Sequence, residues 1–314
     1  MGLPADDWRP SAARLTLEKR GQLLADLREF MGERGVLEID TPVIASGVIP
    51  ERDLQNLSTV TGDYLVSSPE ASLKRALAAG LNDVYSLGHV FRSDEAGRWH
   101  SPEFCILEWY RRGLDLEAII GETSVLLSQI LGKPVAAPRT FVDVFTKIVG
   151  LDPFSANTSS LAHAAHDLGV APDASTDSND RAMWIDCLMS LVVQPVLGAE
   201  QPVCVTHFPI GDGSLVAPAK DKRTALRFEI YYHGVELANG AEELTDPDLA
   251  KRRMRFHTLG TTVPSSAIDQ KLLSAMQHGV PACAGVALGV DRLLALQLGH
   301  HKISSVMPFA WKRR

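Results

Sequence analysis

A chain of 314 residues, 45% hydrophobic and 22% charged, has an ordinary globular composition and enough material for one large core. Its formal net charge of −7 argues against a broad nucleic-acid surface, and no run approaches the ~20 apolar residues of a membrane span. The opening MGLPADDWRPSAARL lacks the pattern of a secretory leader, so a cytoplasmic protein is expected, its four scattered cysteines reduced and neither metal-bound nor bridged.

Residues 14–34 carry Leu23, Leu24, Leu27, Phe30 and Met31 at helical spacing, and Gly35 follows as a C-terminal cap. VLEID (36–40) alternates as a strand and stops at Thr41-Pro42. Strand-like runs recur near 64–67, 84–92 and 103–110, with a helix around 69–79 between the first two. A helix is predicted over 115–131, and 158–198 reads as mostly helical around the polar loop DASTDSND. Strands return at 203–208 and 226–238, then helices at 246–257 and 267–278, then a Gly-rich strand and helix at 284–298. The segment 133–200 holds few site-like residues and reads as a helical insertion in a single domain spanning 1–314. Strands arriving in neighbouring pairs, with helices segregated from them, predict an α+β fold with a mainly antiparallel sheet.

Three stretches carry the chemistry. In VFRSDEAGRWHSPEF (90–104) and the strand it leads into, period two puts Phe104, Ile106, Glu108 and Tyr110 on one face, with Arg92 ending the preceding strand. A guanidinium there can grip a carboxylate or phosphate through two parallel hydrogen bonds; an exposed hairpin with surface ion pairs is the alternative. In RFEIYYHGVELANGAEELTD (227–246), His233-Gly234 reads as a two-residue turn that sets Tyr231 opposite Glu236, with Glu229 a diagonal neighbour. Two carboxylates about 7–8 Å apart at the backbone repel unless a cation lies between them, which suits Mg2+ on nucleotide phosphates; two solvated acids are the alternative. Asn239 and Glu243 follow beside the same site. In GVALGVDRLLAL (285–296), the small residues Gly285, Ala287 and Gly289 allow close approach of a ligand, and Arg292 supplies a second anion clamp. Tight strand–helix packing would account for the glycines equally well.

Taken together, FRSDEAGRWHSPEF resembles motif 2 of the class II aminoacyl-tRNA synthetases and GVALGVDR their motif 3, while ERGVLEIDTP resembles motif 1 with Pro42 as its proline. SPEASLKR, LEWYR and RFEIYYHGVELANG narrow the resemblance to the lysyl-tRNA synthetase catalytic domain and, more closely, to its truncated relatives, the elongation factor P–(R)-β-lysine ligases. The resemblance runs over roughly 15–310. It implies that ATP is bound by Arg92, Asp94, His100, Phe104, Gly289 and Arg292, with Arg92 and Arg292 as the catalytic phosphate clamps. It further implies Mg2+ on Glu229 and Glu236. Glu70, Glu108, Tyr110, Asn239, Glu243 and Ala287 would form the amino-acid pocket, with Glu243 taking the side-chain ammonium.

The motif 1 helix begins near residue 14, too early for an anticodon-binding barrel before it, which makes tRNA an improbable acceptor. The resemblance implies instead that lysine or (R)-β-lysine is activated and passed to a lysine of elongation factor P, by a homodimer. The same adenylate chemistry with another amino acid or acceptor, such as a carrier protein, a small molecule or tRNA, is the second reading. A catalytically silent regulatory paralogue is the third. Two positions depart from the pattern: Ala241 stands where phenylalanine is usual, and Ala71 where a larger residue is. Ala287 replaces the glycine of lysyl-tRNA synthetases, as in the ligases.

Overall fold

The computed structural model describes residues 8–51, 54–93, 96–170, 179–211, 215–259 and 264–313. The chain opens with α1 (Arg14–Glu33), whose buried stripe of Leu23, Leu27, Phe30 and Met31 matches the expected spacing. It ends at Gly35, whose φ of 65° is the left-handed conformation that glycine adopts at least cost. Next come β1 (Leu37–Glu38), β2 (Ile44–Ala45), β3 (Tyr64–Leu65) and α2 (Glu70–Ala78). The hairpin β4 (Val84–Phe91) and β5 (Glu103–Arg112) leads to α3 (Leu116–Leu131), whose N-terminus is capped by the Asp115 carboxylate accepting from Ala118 N.

The segment read as a helical insertion begins with a strand, β6 (Ala136–Thr140), followed by α4 (Phe141–Val149), α5 (Thr158–Asp167) and α6 (Arg181–Leu188). A π-helical turn over Met189–Val193 continues α6. Then follow β7 (Val203–Thr206), β8 (Arg227–Tyr232), β9 (Val235–Glu242), α7 (Pro247–Thr258), α8 (Gln270–Gly279), β10 (Cys283–Gly289) and α9 (Val290–Gln297).

Eight of these strands form one sheet in the order β1-β4-β5-β10-β9-β8-β7-β6. The pairs from β4 to β8 are antiparallel, and only the outermost pairs, β1 with β4 and β6 with β7, are parallel. The expected strand at 36–40 is reduced to two residues at a sheet edge, where short strands limit unwanted pairing. On one face of the sheet, Leu107, Trp109, Val286 and Leu288 pack with the buried stripes of α1, α3 and α9 into the largest core. A second core joins α2, α7 and α8, and a third joins α4, α5 and α6 to β7 and β8. The other face of the central strands is open between these two smaller cores. The four cysteines are unbridged, and no described helix is long and apolar enough to cross a membrane.

Candidate active site

That open face floors a cleft of about 580 Å3. Strand register explains its shape. Glu108 on β5 lies opposite Ala287 on β10, which lies opposite Asn239 on β9, which lies opposite Glu229 on β8. The next row is Tyr110, Gly285, Ala241 and Arg227. The central strand contributes only small side chains, so β10 forms a trough between functional groups on β5 and those on β9 and β8. Gly285 is required there, because an added Cβ would collide with the Tyr110 ring and come within 2.9 Å of Glu243 Oε1.

The β8–β9 turn forms as expected, with His233 and Gly234 both at positive φ and Tyr231 opposite Glu236. A bulge follows: Tyr231 pairs with Glu236 but Ile230 pairs with Ala238, so Leu237 is the extra residue. It brings Glu236 and Asn239, three residues apart, to one place. Asn239 Nδ2 donates to Glu229 Oε1 and to Glu236 Oε1, 3.2 Å in each case. Glu229 also accepts from the Arg227 guanidinium and the Tyr231 hydroxyl. The two carboxylates therefore converge on one amide. Among the described residues no group of three or more His, Cys, Asp or Glu side chains is placed to hold a metal. A Mg2+ ion here would need phosphate oxygens or water to complete its shell, which is its usual habit at nucleotide sites.

At the same end, Arg92 directly follows β4, and its guanidinium carbon lies 5.1 Å from the centre of the Phe104 ring. His100 lies exposed at the cleft wall, and Gly289 begins α9. Arg292 donates through Nε to Trp99 O at 3.1 Å and through Nη1 to Glu236 O at 3.0 Å, with Glu236 Oε2 3.7 Å away. Asp94 lies outside the described residues.

The other end of the cleft is acidic. Glu108 is 3% exposed; its Oε2 accepts from Ser68 Oγ at 2.7 Å and its Oε1 from Tyr110 OH at 2.8 Å. Ser68 Oγ also accepts from Glu70 N at 3.0 Å, fixing the first residue of α2. One helical turn later, Lys74, 1% exposed, donates to Glu70 Oε1 at 2.6 Å and to Glu243 Oε2. Glu243, expected to meet a ligand ammonium, thus already holds one from the protein itself. Burial, and then the neighbouring Glu70, push the Glu108 carboxyl up to about 8 despite its two hydroxyl donors. Burial opposes the Lys74 ammonium, yet Glu243 and Glu70 raise it above the ordinary lysine range.

The structure brings every described candidate residue to this one cleft. Ser68, Lys74 and Arg227 were not anticipated, although Lys74 sits one turn after Glu70 and that spacing is a readable signal. Asp186, Met189, Ser190 and Gln194 also line the cleft, from the lobe that reads as site-poor in sequence. They stand in and around the π-helical turn, a distortion frequent at functional sites.

Comparison with known proteins follows the same line. The family model described as tRNA synthetases class II (D, K and N) matches residues 5–313. An elongation factor P–(R)-β-lysine ligase of Photorhabdus laumondii is 40% identical, over 97% of this chain and 97% of its own. Those of Yersinia enterocolitica (39%, over 96% and 97%) and Pasteurella multocida (40%, over 97% and 97%) are similar to the same degree.

Proposed function

Because the chain belongs to the class II tRNA synthetase family, we propose that it activates a lysine-type amino acid with ATP and transfers it to a lysine side chain of elongation factor P. The observation that carries the choice of amino acid is the charge count at the acidic end. Three carboxylates, Glu70, Glu108 and Glu243, face one ammonium, Lys74. Once an approaching ammonium has ionised Glu108, two further positive charges balance them, and lysine or (R)-β-lysine brings two ammonium groups. Names of the similar ligases favour (R)-β-lysine, and the Ala287 methyl stands between Glu108 and Asn239, where it would shape the floor of the trough.

The reaction has two steps. The amino-acid carboxylate attacks the α-phosphorus of ATP, forming the aminoacyl-adenylate and expelling pyrophosphate. The ε-amine of the acceptor lysine then attacks the adenylate carbonyl and AMP leaves. Arg92 holds the α-phosphate and the carboxylate together, Phe104 stacks on adenine, and Arg292 grips the far phosphates; His100 adds a contact at the rim. The chain's work is positioning and electrostatic stabilisation at phosphorus, so no enzyme nucleophile is needed. Glu229 and Glu236 would hold Mg2+, which when bound neutralises phosphate charge. The enzyme is expected to work in the cytoplasm, where its nucleotide and protein substrates are. Incubation with ATP, (R)-β-lysine and elongation factor P should add one lysyl mass to the acceptor by mass spectrometry; AMP release with unmodified acceptor would reject the proposed acceptor.

Self-association through α1 and the segment after it is part of the reading. Leu15, Leu37 and Ile44 are each more than half exposed there. Light scattering at micromolar concentration should find a dimer, and a 34.1 kDa species alone would reject it.

The protonation of Glu108 sets a pH dependence. Its folded value lies above the ordinary carboxylate value, so its ionisation costs fold stability as pH rises from about 4.5 toward about 8. A bound ammonium favours the ionised form, so binding releases a proton. The KM for (R)-β-lysine should therefore fall as pH rises toward about 8, by up to about tenfold per unit, and Glu108→Gln should flatten the profile. A wild-type profile that is already flat would contradict this.

Ala241 leaves room beside Gly285 and Arg227. Ala241→Phe should narrow the cleft around an aliphatic stem and lower the KM for either lysine isomer by roughly tenfold. A higher KM would mean that the substrate uses the space.

A further inference from the structure

Arg20 lies in the apolar stripe of α1, one turn before Leu23, and is only 7% exposed. A guanidinium so placed has lost its water and needs a charged partner. Arg20 Nη1 donates to Asp291 Oδ1 at 2.6 Å, and Asp291 is 2% exposed. The second carboxylate oxygen, Oδ2, accepts from Cys105 N at 2.7 Å. Cys105 is the first residue of β5 beyond the β10 pairing, which ends with Gly289 opposite Ile106. Asp291 therefore continues the ladder after β10 has turned into α9.

One buried carboxylate thus joins three elements: α1, the start of β5 and the first turn of α9. Its sequence neighbours are functional on both sides. Phe104, before Cys105, forms one wall of the nucleotide end, and Arg292, after Asp291, forms the other, held by Trp99 O and Glu236 O. The spacing between the adenine wall and the phosphate clamp is set across this carboxylate.

We propose that Arg20 and Asp291 are positioning residues for ATP, acting from beneath the cleft by locking the first turn of α9 to β5 so that Arg292 faces Phe104 at the working distance. Arg20 touches no reacting group; it holds the Asp291 carboxylate in place and aimed at Cys105 N. This rests on the assignment of ATP to the Arg92–Phe104–Arg292 end of the cleft.

ATP–pyrophosphate exchange, with ATP and (R)-β-lysine varied separately, tests it on Arg20→Met and Arg20→Lys, with thermal unfolding followed in parallel. Arg20→Met should raise the KM for ATP about tenfold or more, as expected of a displaced clamp, with the KM for (R)-β-lysine changed less than about twofold. Arg20→Lys should recover part of the loss. If Arg20→Met does not fold, the double variant Arg20→Met/Asp291→Asn carries the same readout, because it leaves no buried charge unpaired and keeps an oxygen for Cys105 N. A folded variant with an unchanged KM for ATP, or with both KM values raised alike, would overturn the proposal and leave the pair a purely structural one. Arg292→Ala separates the premise: if that variant also keeps its KM for ATP, the assignment of ATP to this end falls, and the inference with it.

Discussion

Replacing Arg92 by alanine should lower ATP–pyrophosphate exchange by roughly 10²–10³-fold without unfolding the protein. Arg92 directly follows β4, and its backbone N donates to Pro102 O at 2.9 Å, a bond that survives truncation of the side chain. The guanidinium is half-buried beside Phe104 at the cleft wall. Charge builds on the α-phosphate during attack, and a fixed fork of donors stabilises that charge more than it stabilises bound ATP, so kcat should fall with kcat/KM. Arg92→Lys should recover little, since an ammonium cannot make two parallel bonds to one anion. Undiminished exchange in Arg92→Ala would remove the residue from the reaction and favour the silent-paralogue reading.

Lys74→Met should destabilise the fold by about 3–5 kcal/mol and end activation of (R)-β-lysine. Lys74 is the protein's own cation between Glu70 and Glu243, both of which line the acidic end. Without it the buried Glu243 is left beside the partly buried Glu70 with no cation, and it can persist only by taking up a proton. A protonated Glu243 no longer attracts an ammonium. Denaturant unfolding measures the first effect and exchange the second. A variant as stable as the wild type would show that the ion pair does no more than balance its own desolvation.

Much of this was legible because it is local. The stripe of α1 and the glycine after it, the His233-Gly234 turn, and the period-two face of β5 each follow from residues a few positions apart. The paired acids Glu229 and Glu236 were legible too, but not how they meet, since alternation cannot show that Leu237 is skipped in the pairing. Strand β6 was hidden because AAPRT has neither alternation nor β-branched runs to mark it, and it lies at a sheet edge, largely exposed. Least legible were the pairs distant in sequence. Lys74 reaches Glu243 across 169 positions and Arg20 reaches Asp291 across 271, and nothing local distinguishes a buried lysine or arginine from a solvated one. Those two ion pairs nevertheless set the charge of one end of the cleft and the framework of the other.

On the proposed function, the acidic end selects an amino acid carrying a second ammonium group. ATP–pyrophosphate exchange with (R)-β-lysine, α-lysine, norleucine and the other standard amino acids tests it most directly. Norleucine has the lysine stem without the terminal amine, and a pocket built around that amine should reject it by about 10⁴-fold. Exchange is expected with a lysine isomer, and next to none with norleucine. Comparable exchange with norleucine, or exchange with another standard amino acid and neither lysine isomer, would contradict it.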